Sequence, residues 1–342
     1  MSNVRQNSVR VLISKTPTNN SKLRHNAKLI SNTKLRFKIT KLLRDVFINR
    51  RVWKNADVII AADEFSIPIS YIAARIFGKK LIICIHGTYA TECLDKSRSN
   101  LYLAAYRYSC AITSVSDYTK SKLVVRLPEI EEKISVIPLS ITLHNSEIMP
   151  SQMLAKDYFV AVGPLKSRKG SIYAVRAIAE LRDQGIFARL ILIGAEESKG
   201  KYAEEVYKQI KASQISDLIE FTGFISDTER DALIAAAIAN ILPSINDNQH
   251  YEGFGYVHLE ANRLGVPTIG SRDCGNESAI VNGVTGYLTP QRDHLALANK
   301  MKDLYDNASL RNSLGLNGQK HLLNWTGEDI ARAYGRLFQI SA

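Results

Sequence analysis

His250-Tyr-Glu-Gly-Phe-Gly-Tyr-Val-His-Leu-Glu260 follows a short apolar strand that ends in Leu242-Pro243-Ser244. Gly253 and Gly255 let the backbone turn tightly before a helix that starts near Gly255. The first N–H groups of such a helix have no partner within it, so they suit an anion such as a diphosphate. Glu252 stands before the helix and could reach a sugar hydroxyl. Glu260 lies over a turn into it and could hydrogen-bond a ribose diol. The plain alternative is a loop with two unrelated surface glutamates.

Outward from this stretch, strands and helices alternate. On the N-terminal side, strands are expected at 158–162, 190–193, 220–224 and 241–242, with helices at 172–184 and 204–212. Ser226 and Glu229 form a capping box that opens a helix running to Ile238. On the C-terminal side come a helix at 256–264, a strand at 267–269, a short helix at 276–282 and a strand at 286–288. Helices at 293–307, 309–323 and 328–339 close the chain. An earlier series precedes the polar stretch 142–156, with strands at 57–62, 81–85, 111–115 and 134–137. Helices at 67–77, 100–109 and 117–127 lie between them. Alternation of this kind implies parallel sheets covered by helices on both faces. Residues 1–150 hold only Gly78 and Gly87, and the later residues hold the other 17 glycines. The second half therefore reads as the nucleotide-binding half, with a ligand cleft between two Rossmann-like domains.

The chain has 342 residues, 45% hydrophobic and 23% charged, which fits a globular protein of about two domains. No apolar run approaches the roughly 18 residues of a membrane span. Residues 1–10 lack the apolar segment of a signal peptide. Cys84, Cys93, Cys110 and Cys274 show no paired spacing and read as thiols of a reducing compartment. A cytoplasmic protein is expected. Its net charge of +12 is uneven: residues 1–54 carry 14 Lys/Arg and one acid, Asp45. Leu35, Ile39, Leu42, Leu43, Val46 and Phe47 recur there at helical spacing, among Lys34, Lys38, Lys41, Arg44 and Arg51. Two readings stay open. One is a basic amphipathic helix on an anionic membrane surface, peripheral at the inner face of the plasma membrane. The other is a core helix with a solvated basic face. Nucleic acid is not expected, since the arm has no aromatic interleaving and no binding motif.

The motif resembles a known family. Glu252-Gly-Phe-Gly with Glu260-Ala261 is similar to the Glu-x₇-Glu element of family 4 retaining glycosyltransferases, which have the GT-B fold. Pro243-Ser244 before it, Gly265-Val-Pro-Thr-Ile and Gly283-Val-Thr-Gly-Tyr-Leu after it, and the late Asn324-Trp325 also resemble family elements. The resemblance runs from about Ala56 to the C-terminus. It implies an α/β fold of two parallel-sheet domains facing each other across a cleft. The first, acceptor-side domain would cover 1–145 with its basic arm, and the nucleotide-sugar domain 146–325. A C-terminal helix, 326–342, has the option of crossing back. Residues 1–77 contain no glycine, where family members begin with a strand and a glycine-rich loop. A shortened first domain is one reading of this, with 9–13 as a later strand of the usual sheet.

The resemblance also implies roles. Glu252 would contact donor-sugar hydroxyls, Phe254, Gly255 and Tyr256 would offer N–H groups, and Glu260 would hold the ribose. Val162-Gly-Pro-Leu-Lys-Ser-Arg-Lys-Gly170 resembles the family's Gly-Arg-Leu…Lys-Gly loop, with Gly163 at its start and Lys169 as the diphosphate lysine. Pro164 replaces the usual arginine, leaving Arg168 or Lys166 to supply that charge. His86, in Ile85-His-Gly-Thr-Tyr89, matches a strand-end histidine facing the reacting sugar. Ser116 matches a family serine, though capping a helix explains it equally well. His250 and His258 read as packing or rim residues, and Cys274 carries no case for chemistry. The chain has no Asp-x-Asp, so a metal-free hexosyltransferase without a cofactor is expected. Its substrates would be a nucleotide-sugar and a saccharide or lipid-linked saccharide used in cell-surface polysaccharide. The alternative is a weakly active or inactive partner subunit of such an enzyme. A nicotinamide-dependent oxidoreductase fares worst, since no GxGxxG with a downstream acid is present.

Overall fold

The computed structural model describes residues 14–15, 30–31, 39–95, 99–141, 157–194, 200–248, 250–323 and 326–341. Most of the basic arm, the 9–13 strand, the 142–156 stretch and Asn324-Trp325 lie outside the described residues.

Two larger parallel sheets dominate the described residues, beside a two-residue parallel pairing of Ser14–Lys15 with Ile30–Ser31. The first has four strands in chain order: β1 (Val58–Ala61), β2 (Lys80–Ile85), β3 (Ala111–Ser114) and β4 (Ile134–Val136). The apolar run of β2 reflects burial on both faces, as parallel sheets require. Leu81, Ile83 and Ile85 face one core with Val46, Ile67 and Tyr106. Ile82 faces the other way, against Leu337 of the C-terminal helix Gly327–Ser341. That helix lies on the first sheet, and its Tyr334 hydroxyl is 3.4 Å from Thr113 Oγ1.

The arm's helix, α1, is Ile39–Ile48. Leu42 and Val46 are buried, so part of the expected apolar stripe is core. Leu43, Phe47 and Ile48 of the same helix stay exposed. Of the two readings of the arm, the structure assigns the core role to one face and leaves the other open.

The second sheet has the order β10-β9-β8-β5-β6-β7. Its strands are β5 (Tyr158–Val162), β6 (Arg189–Ile193), β7 (Ile219–Gly223), β8 (Asn240–Leu242), β9 (Thr268–Ser271) and β10 (Gly286–Thr289). Side chains alternate as the pleat demands. Phe159, Leu190 and Leu192 enter one core; Tyr158, Val160, Ile191 and Ile193 enter the other. The chain winds outward from β5 to β7 and then returns to pair β8 on the other side of β5. The loops after β5 and β8 therefore leave a switch point in opposite directions, and ligands of open α/β sheets bind in such a crevice.

Two sequence readings are corrected. The expected helix at 276–282 is only a 3₁₀ turn, Gly275–Ser278, because the polar Gly275-Asn276 pair packs against the neighbouring loop. The capped helix ends at Ala236, not Ile238, since Ile238 N–H already pairs with Tyr158 of β5.

Candidate active site

The two loops at the switch point touch. Gly170 closes the loop after β5 at φ 68°, and a Cβ there would lie 1.8 Å from Pro243 O. Ile245 N–H donates to Arg168 O at 2.9 Å. This docking brings Arg168 and Lys169 against the loop that carries Glu252. Arg168 Nη1 is 2.6 Å and Lys169 Nζ 2.7 Å from Glu252 Oε2. Glu252 is buried, which raises a carboxyl's pKa. The charges of Lys169 and Arg168 outweigh that and hold it below the ordinary glutamate value. Of the two substitutes for the arginine replaced by Pro164, the structure brings Arg168 onto Glu252. Lys166 lines the cavity beside them. Gly163 has φ 130°, a backbone conformation that favours glycine, and it lies beside the Lys169 stem, a Cβ on it being in ordinary contact with Lys169 Cε at 3.8 Å.

Helix α2 (Tyr256–Arg263) opens after Gly255, whose φ of 79° suits glycine. A Cβ there would also stand 2.5 Å from Asn276 Oδ1. Phe254 is buried among Val115, Leu259 and Leu322. Tyr256 is half-exposed, and its hydroxyl donates to Ser140 O of the first domain at 3.3 Å. Glu260 lies one turn further along the helix. Burial raises its pKa, against the opposing charge of Arg230, 3.7 Å away. Tyr256 and Glu260 do not line the cavity that holds Glu252.

That cavity, about 540 Å³, lies between the domains. Arg168, Glu252 and His250 form its second-domain wall, and Glu64, His86 and Tyr89 its first-domain wall. His86 stands at the end of β2 with its ring partly exposed. Its backbone N–H donates to Glu64 Oε1 at 2.8 Å, and its ring Nδ1 is 3.9 Å from Glu64 Oε2. Burial pushes the Glu64 pKa up, while the hydrogen bond from His86 pulls it back in part. Sequence reading missed Glu64. The register of β1 on β2 could have found it. Ala61 pairs with Ile83, and three residues further on the same offset sets Glu64 beside His86.

The domains meet at the glycine loop. A Cβ on Gly253 would lie 2.2 Å from His86 O, and one on Gly275 would lie 2.1 Å from Gly253 C. Ser116 Oγ donates to Gly253 O at 2.6 Å and accepts Thr119 N–H at 3.0 Å. It is therefore both a helix cap and a link between domains. Thr88 Oγ1 donates to Tyr251 O and accepts Tyr251 N–H, each at 3.0 Å. His258 is a packing residue, buried against Gly255 and Gly270, and burial pushes its pKa down to about 4. His250 stands at the cavity rim, exposed, 4.0 Å from Glu92. Cys274 is buried, which pushes its thiol up to about 12.

The model of the family described as Glycosyl transferases group 1 matches residues 150–321, and that of Glycosyltransferase Family 4 matches residues 5–144. The chain belongs to family 4 of the glycosyltransferases. Among curated relatives, it is 26% identical over 232 residues to the Staphylococcus aureus capsular polysaccharide biosynthesis glycosyltransferase CapM, covering 62% of this chain and 57% of that one. It is 28% identical over 177 residues to the putative colanic acid biosynthesis glycosyltransferase WcaL of Salmonella typhimurium, covering 50% and 42%. The chain thus spans about half the length of the curated relatives it matches. Among solved structures, the Anabaena HepE complex with UDP superposes with a TM-score of 0.76 at 20% identity, covering 92% of this chain and 86% of that one. Sucrose-phosphate synthase of Thermosynechococcus elongatus gives 0.74 at 19%, covering 94% and 86%. The fold of this family 4 member is GT-B, two parallel-sheet domains across a cleft.

Proposed function

We propose that this chain is a retaining, metal-independent hexosyltransferase that moves a sugar from a nucleotide-sugar to a hydroxyl of a saccharide or lipid-linked saccharide in cell-surface polysaccharide synthesis. One observation carries the reading: Arg168 and Lys169 converge on Glu252 at the switch point, opposite His86. Two cations and one carboxylate leave a net positive charge, suited to a diphosphate. The names of CapM and WcaL and the HepE complexes with UDP and UDP-glucose support the substrate classes.

The chemistry follows from charge. As the bond from the sugar's anomeric carbon to the diphosphate oxygen breaks, negative charge gathers on the leaving group. Lys169 and Arg168 stabilise that charge more than the bound donor's, which is what lowers a barrier. Glu252, released from its two cations, turns to the donor-sugar hydroxyls. The acceptor hydroxyl attacks the face that the diphosphate leaves, and its proton passes to the departing phosphate oxygen. The anomeric configuration is thereby kept. Gly255 and Tyr256 N–H groups assist at the start of α2, Phe254 fixes the loop, and Glu260 holds the ribose. The enzyme works in the cytoplasm, with the exposed Leu43, Phe47 and Ile48 of α1 against an anionic leaflet. A nucleotide-sugar panel read by thermal shift and by diphosphate release tests the reading. Stabilisation by one class of donor with release is the expected result; no response to any donor would contradict it.

A further inference from the structure

The first-domain wall of the cavity has a chemistry of its own. Phe65 and Tyr89 are large aromatic side chains, each about half exposed (49% and 47%). Their rings pack 5.2 Å apart at 54°. Tyr89 lines the cavity, and Phe65 follows Glu64 directly in the chain. The exposure alone is ordinary, but a pair of packed aromatic rings beside a cavity offers apolar faces on which a ring-shaped ligand can lie. Glu64 is buried and lines the same cavity. The His86 backbone N–H donates to its Oε1. Among the lining residues of this wall, His86 is the sole basic side chain, and no lysine or arginine is present. The opposite wall, with Lys166 and Arg168, has the reverse character.

We infer that Phe65, Tyr89 and Glu64 form the acceptor subsite, and that it takes an uncharged pyranose ring rather than a phosphorylated or carboxylated acceptor end. This rests on the transferase reading above. The C–H face of a pyranose lies on aromatic rings, as apolar area on apolar area. Its hydroxyls donate to a carboxylate such as Glu64. A phosphate on this wall would meet the Glu64 carboxyl and the aromatic rings with no lysine or arginine to pair with, which costs free energy on desolvation. Glu64 and Tyr89 thus set specificity, while Arg168 and Lys169 serve the donor.

Saturation-transfer NMR on the full chain tests this, with methyl glucoside, galactoside, mannoside and N-acetylglucosaminide as probes. Glycerol 3-phosphate is the anionic control, and each run is made with and without UDP, GDP, ADP or TDP. At least one pyranoside is expected to bind and the phosphate not to. Tyr89→Ala and Glu64→Gln should each weaken that pyranoside at least tenfold, and Tyr89→Phe should keep it. Nucleotide binding should be the same in all three variants. Pyranoside binding that is unchanged in Tyr89→Ala, or preference for glycerol 3-phosphate, overturns the subsite. A parent chain that binds a nucleotide but no pyranoside overturns the subsite and leaves the donor site standing. Binding of neither overturns both.

Discussion

Lys169 and Arg168 share one oxygen of the buried Glu252 carboxylate. On the proposed reading, each cation exchanges Glu252 for the diphosphate of the donor. Lys169→Ala should therefore lower kcat by about 100-fold, with a smaller effect on KM, since the lost charge matters most in the transition state. Steady-state kinetics checks the split; equal turnover by the variant would reject the role. His258 permits a pH prediction. Its folded pKa of about 4 lies below the ordinary 6.5, so the unfolded chain binds the extra proton in that interval. The contribution to stability is complete above pH about 6.5 and is lost as pH falls toward about 4. Urea unfolding at pH 7.5 and pH 5.5 should differ by about 1 kcal/mol from this group. A His258→Gln chain should lack that part of the difference. Glu252 and Lys169 were legible as candidates because a local motif marks each of them, and the structure brings the two together. Arg168 remained one of two choices because only the docking of two loops far apart in the chain, through Arg168 and Ile245, shows which cation arrives at Glu252. Glu64 was silent because its partner lies 22 residues away and is reached through strand register.

At the scale of elements, the glycine loop is a point where three backbones meet without side chains. Gly253 lies between His86 O on one side and Gly275 on the other. Gly253→Ala should cost about 3 kcal/mol or separate the walls, because backbone cannot yield as a flexible side chain does. Chemical denaturation measures it, and a cost below the noise would show that the loops are less closely packed. Ser116→Ala removes a helix cap and a buried bond across the domains, for an expected loss of about 2 kcal/mol. A capping role alone would leave the distance between the domain walls unaltered in solution scattering. Most strands and helices were legible because β-branched runs, capping residues and terminal glycines mark them, as at Ser226, Gly78 and Tyr158–Val162. The 276–282 segment was not. Its polar residues match a helix start, but packing of Gly275 on Gly253 decides its path. Helix α1 was half legible: spacing gave the helix, and only packing showed that Leu42 and Val46 belong to the core.

At the scale of the molecule, the excess positive charge is concentrated in residues 1–54 of the sequence. Each basic residue near an anionic leaflet contributes about 1 kcal/mol, screened by salt. The chain should sediment with phosphatidylserine vesicles and release as salt rises, and Arg44→Gln with Phe47→Ser should weaken this several-fold. Indifference to lipid charge would make α1 purely structural. The two-wall cleft was expected from alternation and glycine placement, and the sheet order explains it: β8 returns beside β5, and their loops carry both halves of the charged cluster. The central claim is that this cluster drives sugar transfer with retention. Time-resolved proton NMR of the chain with a panel of α-linked nucleotide-sugars and the pyranoside acceptors follows the anomeric proton of the new glycoside. The account predicts a first-formed product with the donor's α configuration, absent in Lys169→Ala; a first-formed β product, or no product from any donor, would contradict it.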